Sequence, residues 1–128
     1  MKRILIVEDS DDARFILQME LESAGYSVEA VDDAAAGLEL ARRMRPDVIV
    51  SDLRMPRVDG FEFIRRIRQL PGLAATPAIA LTGFSAQKEI QQALAAGFTT
   101  HITKPTEIAD LVKVIEQLTA KRLQRVAS

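Results

Sequence analysis

Five times along this chain a short run of apolar or β-branched residues gives way to a segment with helical periodicity. Ile4-Leu5-Ile6-Val7, Val48-Ile49-Val50 and Ala78-Ile79-Ala80-Leu81 are unbroken apolar runs, the pattern of strands buried on both faces. Val28 and Ala30 alternate with polar neighbours, and Thr99 to Thr103 is polar but β-branched, so both suit sheet edges. Between these runs lie five helical segments. Ser10 can cap the first, with Asp11 and Asp12 at its positive end and Ala13, Ile16, Leu17, Leu21 and Ala24 on one face up to Gly25. Asp33 can cap the second, with Leu38 and Ala41 inward. The third, from about Gly60 to Leu70, turns Phe61, Ile64 and Ile67 inward and stops at Pro71-Gly72. Ser85 can cap the fourth, which carries Ile90, Ala93 and Leu94 to Gly97. Thr106 opens the fifth, with Ile108, Leu111, Ile115 and Leu118 on one side.

Strand-helix units repeated in this way predict an α/β fold: a single five-stranded parallel sheet with helices on both faces. The three most apolar strands belong in its centre. That gives strand order 2-1-3-4-5, a flavodoxin-like arrangement of five βα units.

The length, 128 residues, suits one domain, here expected over 1–120, with a basic tail over 121–128 that is expected to fray. A net charge of −1 gives no pull toward nucleic acid. The absence of cysteine excludes disulfides and thiolate chemistry. No apolar stretch reaches the length of a membrane span, and the start Met1-Lys2-Arg3 fails as a signal peptide because its apolar run breaks at Glu8-Asp9. A cytoplasmic location is expected. Met1 placed directly before the first strand slightly favours a freestanding protein.

In open sheets of this order, ligands bind beyond the carboxyl ends of the strands. Glu8-Asp9, Asp52, Thr82 and Lys104 stand at or just past four of those ends. Three acids packed together repel unless a cation offsets them, and Mg2+ with oxygen ligands and retained waters is the natural candidate. Asp9 and Asp52 are expected to bind it directly, Glu8 through water, and a main-chain carbonyl, that of Arg54, to complete the protein's share. Lys104 and the hydroxyl of Thr82 can hold phosphoryl oxygens while the Asp52 carboxylate attacks phosphorus. The expected product is an aspartyl phosphate.

The chain resembles the receiver domains of two-component response regulators over nearly its whole length. The segments that carry the likeness are Val7-Glu8-Asp9, Asp52-Leu53-Arg54-Met55-Pro56-Arg57-Val58-Asp59-Gly60, Leu81-Thr82-Gly83 and Lys104-Pro105. The resemblance implies that Asp52 accepts phosphate from a histidine kinase or a histidine phosphotransfer protein. It implies that Glu8 and Asp9 hold magnesium, that Thr82 shifts toward the phosphate and that Lys104 pairs with it. It implies a cis peptide before Pro105, and a phosphate flanked by Arg54, Gly83 and Phe84. Relatives often carry a rotating Tyr or Phe gate three residues before the lysine; here that residue is His101. Ala80-Leu81-Thr82-Gly83-Phe84 and Ala96-Gly97-Phe98 resemble receivers attached to sensor kinases, which hints at a phosphorelay. A monomer or weak homodimer is expected, acting as a phosphoacceptor rather than an enzyme on other substrates.

Other readings fit less well. A flavin carrier on this fold wants a hydroxyl- and glycine-rich phosphate loop after the first strand, where this chain has Glu8-Asp9-Ser10-Asp11-Asp12. An aspartate-nucleophile phosphatase wants a second acid two residues past the nucleophile, where Arg54 stands. A degenerate receiver serving only as a scaffold does not need all five core residues.

Overall fold

The computed structural model describes residues 1–83 and 87–127. Its elements alternate: β1 (Arg3–Val7), α1 (Asp11–Ser23), β2 (Ser27–Val31), α2 (Ala34–Met44), β3 (Val48–Asp52), α3 (Gly60–Gln69), β4 (Ala78–Thr82), α4 (Gln87–Ala96), β5 (Thr100–Thr103) and α5 (Ile108–Ala127). The strands form one parallel sheet in the order β2-β1-β3-β4-β5, as the strand hydropathy predicts. Among the described residues no helix is long and apolar enough to cross a membrane.

Because strand side chains alternate, each central strand feeds two cores. Leu5, Val7, Ile49, Ala78 and Ala80 pack under α2, α3 and α4 against Phe63, Ile64 and Ile67. Ile4, Ile6, Val48, Val50, Ile79 and Leu81 pack under α1 and α5 against Leu21, Leu111 and Ile115. The predicted caps at Ser10 and Asp33 accept from the backbone N–H of Ala13 and Ala36, and Asp59 does the same for Glu62.

Several helix faces differ from the sequence expectation. In α3 the fully buried aromatic is Phe63, and Phe61 is only partly buried. At about 100° per residue, Gly60, Phe63, Ile64 and Ile67 share one stripe and Phe61 falls on its shoulder. In α4 the inward residues are Ala93 and Ala96, while Leu94 is 45% exposed. In α1 only Leu21 is fully buried; Ile16 is 48% exposed, and Ala13 and Ala24 are exposed. The last helix begins at Ile108 rather than Thr106 and continues to Ala127, so the expected tail is helical in backbone. The expected cap Ser85 lies outside the described residues.

Gly60 is required by close approach. A Cβ there would stand 2.4 Å from the Asp52 carbonyl oxygen and 2.7 Å from Leu53 Cα, both backbone atoms that cannot step aside. Gly60→Ala is expected to lower stability by ~1–3 kcal/mol, the usual range for overpacking. An unchanged urea midpoint would refute that.

The end of the sheet away from the carboxyl rim is tied by a polar clamp. The Tyr26 hydroxyl donates to Glu116 Oε2 at 2.7 Å, and Lys2 Nζ donates to the same oxygen at 2.8 Å and to Thr119 Oγ1 at 2.8 Å. Burial, and then the Glu116 carboxylate, push the Tyr26 phenol above its ordinary range. The folded chain therefore keeps this proton at a pH where the unfolded chain releases it. Stability should fall as pH rises past about 10, the unfolded tyrosine value. Comparing denaturant midpoints at neutral and strongly alkaline pH tests this. Tyr26→Phe should remove part of the alkaline loss, and an identical loss in that variant would rule Tyr26 out as its source.

Candidate functional site at the carboxyl rim

Register brings the predicted residues together. Val7 pairs with Ser51, Asp52 with Leu81, and Thr82 with Thr103, so β1, β3, β4 and β5 all end on one rim. Glu8, Asp52 and Thr82 are buried, and Asp9 is exposed. One carboxylate oxygen from each of Glu8, Asp9 and Asp52 lies within 4.8 Å of the others. Lys104 Nζ donates to Glu8 Oε1 at 2.9 Å and to Asp52 Oδ2 at 3.1 Å. Its backbone N–H donates to the Thr82 carbonyl at 2.7 Å, which fixes the lysine at the end of β4. The Lys104–Pro105 peptide is cis, as the resemblance implies.

Burial alone would lower the Lys104 pKa. The hydrogen bonds and charges of Glu8 and Asp52 more than offset it, and the ammonium is held above its ordinary range. Even so, one ammonium faces three carboxylates. That residual negative charge, on oxygen donors within one small space, fits a divalent cation.

Glu8 is engaged on every side. Besides the bond from Lys104, its Oε2 accepts from the Ser10 N–H at 3.2 Å, and its carbonyl accepts from Arg14 Nη1 at 2.9 Å. Arg14 also pairs with Asp11 at 2.5 Å. The sequence reading did not single out Arg14. Six residues separate it from Glu8, and only the turn between β1 and α1 aims it back. Arg54 lies two residues past Asp52, with its side chain 3.6 Å from Glu89 on α4, a second residue the sequence did not mark. Among the described residues, apart from its chain neighbours, none comes within 4 Å of where a Gly83 Cβ would stand. His101 is half-buried on β5, opposite Ala80. Phe84 lies outside the described residues.

Residues 4–116 match the response regulator receiver domain. The chain belongs to that family. The receiver is 40% identical over 114 residues to an uncharacterized 14.6 kDa protein from the sodA1 3′ region of Leptolyngbya boryana, covering 89% of this chain and 87% of that one. It is 32% identical over 126 residues to the DNA-binding dual master transcriptional regulator RpaA of Synechocystis, covering 98% of this chain and 52% of the regulator. This receiver thus spans about half the length of several curated relatives it matches. Among solved structures, the receiver domain of the sensor histidine kinase PA1611 from Pseudomonas aeruginosa superposes with a TM-score of 0.87 at 32% identity, covering 93% of this chain and 98% of that one. A magnesium ion is coordinated in the active-site cleft of that protein.

Proposed function

We propose that this receiver takes a phosphoryl group onto Asp52 from a histidine kinase or histidine phosphotransfer protein, with Mg2+ held at the acid cluster. The observation that carries the reading is the position of Lys104 Nζ, bonded to both Glu8 and Asp52 within reach of three clustered carboxylates. Asp9 and Asp52, with the Arg54 main-chain carbonyl, would hold the metal. When bound, it supplies positive charge that offsets the acids and the phosphoryl oxygens. Asp52 attacks phosphorus. Its Oδ–P bond forms as the donor's P–N bond breaks, and the electron pair returns to the imidazole, which takes up a proton. Lys104 moves its hydrogen bonds from carboxylate to phosphoryl oxygen, and the Thr82 hydroxyl donates to another. The receiver works here as a phosphoacceptor that promotes its own modification. Thr82, by moving toward the phosphate, leaves space that His101 fills, which carries the change to the outer side of β5. Arg54, two residues past Asp52, slows hydrolysis of the phosphate.

The α1 surface offers apolar contacts to a protein phosphodonor. Phe15, Met19 and Ile16 are 66%, 49% and 48% exposed. An apolar groove past Ile16 and Leu17 leads to Pro105 and Lys104, directly onto the rim.

The test is intact-mass measurement after incubation with phosphoramidate and Mg2+, followed by peptide mapping. Gain of one phosphoryl group at Asp52 supports the assignment. No gain, or a gain mapped elsewhere, overturns it.

Because both Glu8 carboxylate oxygens already have partners while Asp9 is exposed, Asp9→Ala should weaken Mg2+ binding by more than Glu8→Ala does. Calorimetric titrations giving equal losses would show the ranking to be wrong.

A further inference from the structure

We propose that Arg14 is a positioning residue for the metal-binding acids, holding the turn that carries Glu8 and Asp9 in the shape a divalent cation needs. This rests on the acid cluster being the Mg2+ site. β1 ends at Val7 and α1 begins at Asp11, so both acids stand on the short turn between them. The backbone on the β1 side of that turn is fixed. The Glu8 N–H donates to the Val31 carbonyl at 3.0 Å, which carries the pairing of β1 with β2 one residue past the strand. The next peptide group joins Glu8 to Asp9. Its carbonyl accepts from Arg14 Nη1 at 2.9 Å, a bond that reaches back from α1 across the turn.

Rotation of a peptide group swings the residue that follows it. Here that residue is Asp9, which is exposed and has to meet Glu8 and Asp52 at one cation. Arg14 is built to stop the rotation. Its own N–H bonds to the Ser10 carbonyl at 2.9 Å, so its stem starts from a helical backbone, and its side chain is only 22% exposed. Its fork holds two partners at once: Nη2 is on Asp11 Oδ1 at 2.5 Å while Nη1 keeps the Glu8 carbonyl. A guanidinium bonded to a carboxylate of the cluster would compete with the cation. Bonded to a carbonyl, it takes no carboxylate oxygen from the metal. Asp11 offsets part of the charge of Arg14, which lessens the field opposing Mg2+.

Arg14→Met keeps the stem and removes the fork. Mg2+ alone is the probe, and calorimetry on the full chain reads its dissociation constant. The direction of the change separates two roles. A cation acting only through its field opposes Mg2+, so removing it would tighten binding. A residue that positions the turn has the opposite effect, and Arg14→Met should weaken binding by about tenfold, the low end for groups that orient metal ligands. Arg14→Lys keeps the charge but cannot hold both partners, and should weaken binding too. Amide hydrogen exchange without metal gives a second reading. The Ser10 N–H, bonded to Glu8 Oε2 at 3.2 Å, should exchange faster in both variants while the amides of central β3 keep their wild-type rates. Unchanged or tighter Mg2+ binding in Arg14→Met, wild-type binding in Arg14→Lys, or exchange that quickens equally across the sheet overturns the proposal while the acid cluster stands. A wild-type chain that binds no Mg2+ overturns both.

Discussion

Asp52→Asn is expected to abolish phosphoryl uptake altogether. The substitution changes one atom in a buried side chain at the end of a central strand, so the geometry of the rim should survive. The amide oxygen can still accept from Lys104. What it lacks is the anionic lone pair needed to form the bond to phosphorus. The variant also relieves repulsion: two carboxylates then face Lys104 instead of three. Its thermal midpoint should therefore match or exceed that of the wild type, while its Mg2+ affinity falls. Intact mass after phosphoramidate treatment reads the first effect, and calorimetry reads the other two. Uptake at the wild-type rate would remove Asp52 from the mechanism.

Arg68→Ala should produce the largest loss of stability. The guanidinium donates from Nε and Nη2 to the Gly97 carbonyl at 3.0 and 2.7 Å, and from Nη1 to the Leu73 and Thr76 carbonyls at 2.9 and 2.6 Å. One side chain on α3 thereby satisfies three loop carbonyls ahead of β4 and β5. Burial pulls the Arg68 pKa below its ordinary value, so the cation tolerates desolvation only because these acceptors surround it. Removing it takes the guanidinium donors from the Gly97 and Thr76 carbonyls, while the Leu73 carbonyl keeps the Thr76 N–H, and leaves a void, for a loss of ~2–4 kcal/mol. Arg68→Lys should recover only part, since a single ammonium cannot reproduce the fork. Chemical denaturation measures both. The three carbonyls precede β4 and β5, so they lie at the opposite end of the sheet from the rim. Phosphorylation of the folded variant should persist, and a loss below ~1 kcal/mol would mean that water replaces the guanidinium cheaply.

The sheet was legible because its signals are local: unbroken apolar runs for β1, β3 and β4, alternation for β2, and threonines for β5. Glu8, Asp9, Asp52, Thr82 and Lys104 could be placed on one rim because the end of a strand has a fixed position in a parallel sheet. Helix faces were harder. In α3, Phe61 and Phe63 are both apolar; the stripe shared with Gly60, Ile64 and Ile67 takes Phe63 inside, where its ring lies against Gly37. In α1, Ile16 reads as core in sequence and is exposed at the surface. Arg14, Arg68 and Glu89 carried no signal at all. Long charged side chains that join distant elements read as ordinary surface residues until the chain is folded around them.

The central place of β1 governs how the molecule can be attached to a support. Parallel strands all start at one end of the sheet, so residue 2 stands roughly 16 Å from the rim, one five-residue strand away. Met1 is 90% exposed there. The chain has no cysteine, so a single one added ahead of Lys2 would be a unique anchoring point. A sensor chip loaded through that thiol would hold every molecule in the same orientation, with Asp52 and the α1 groove turned toward the flowing solution.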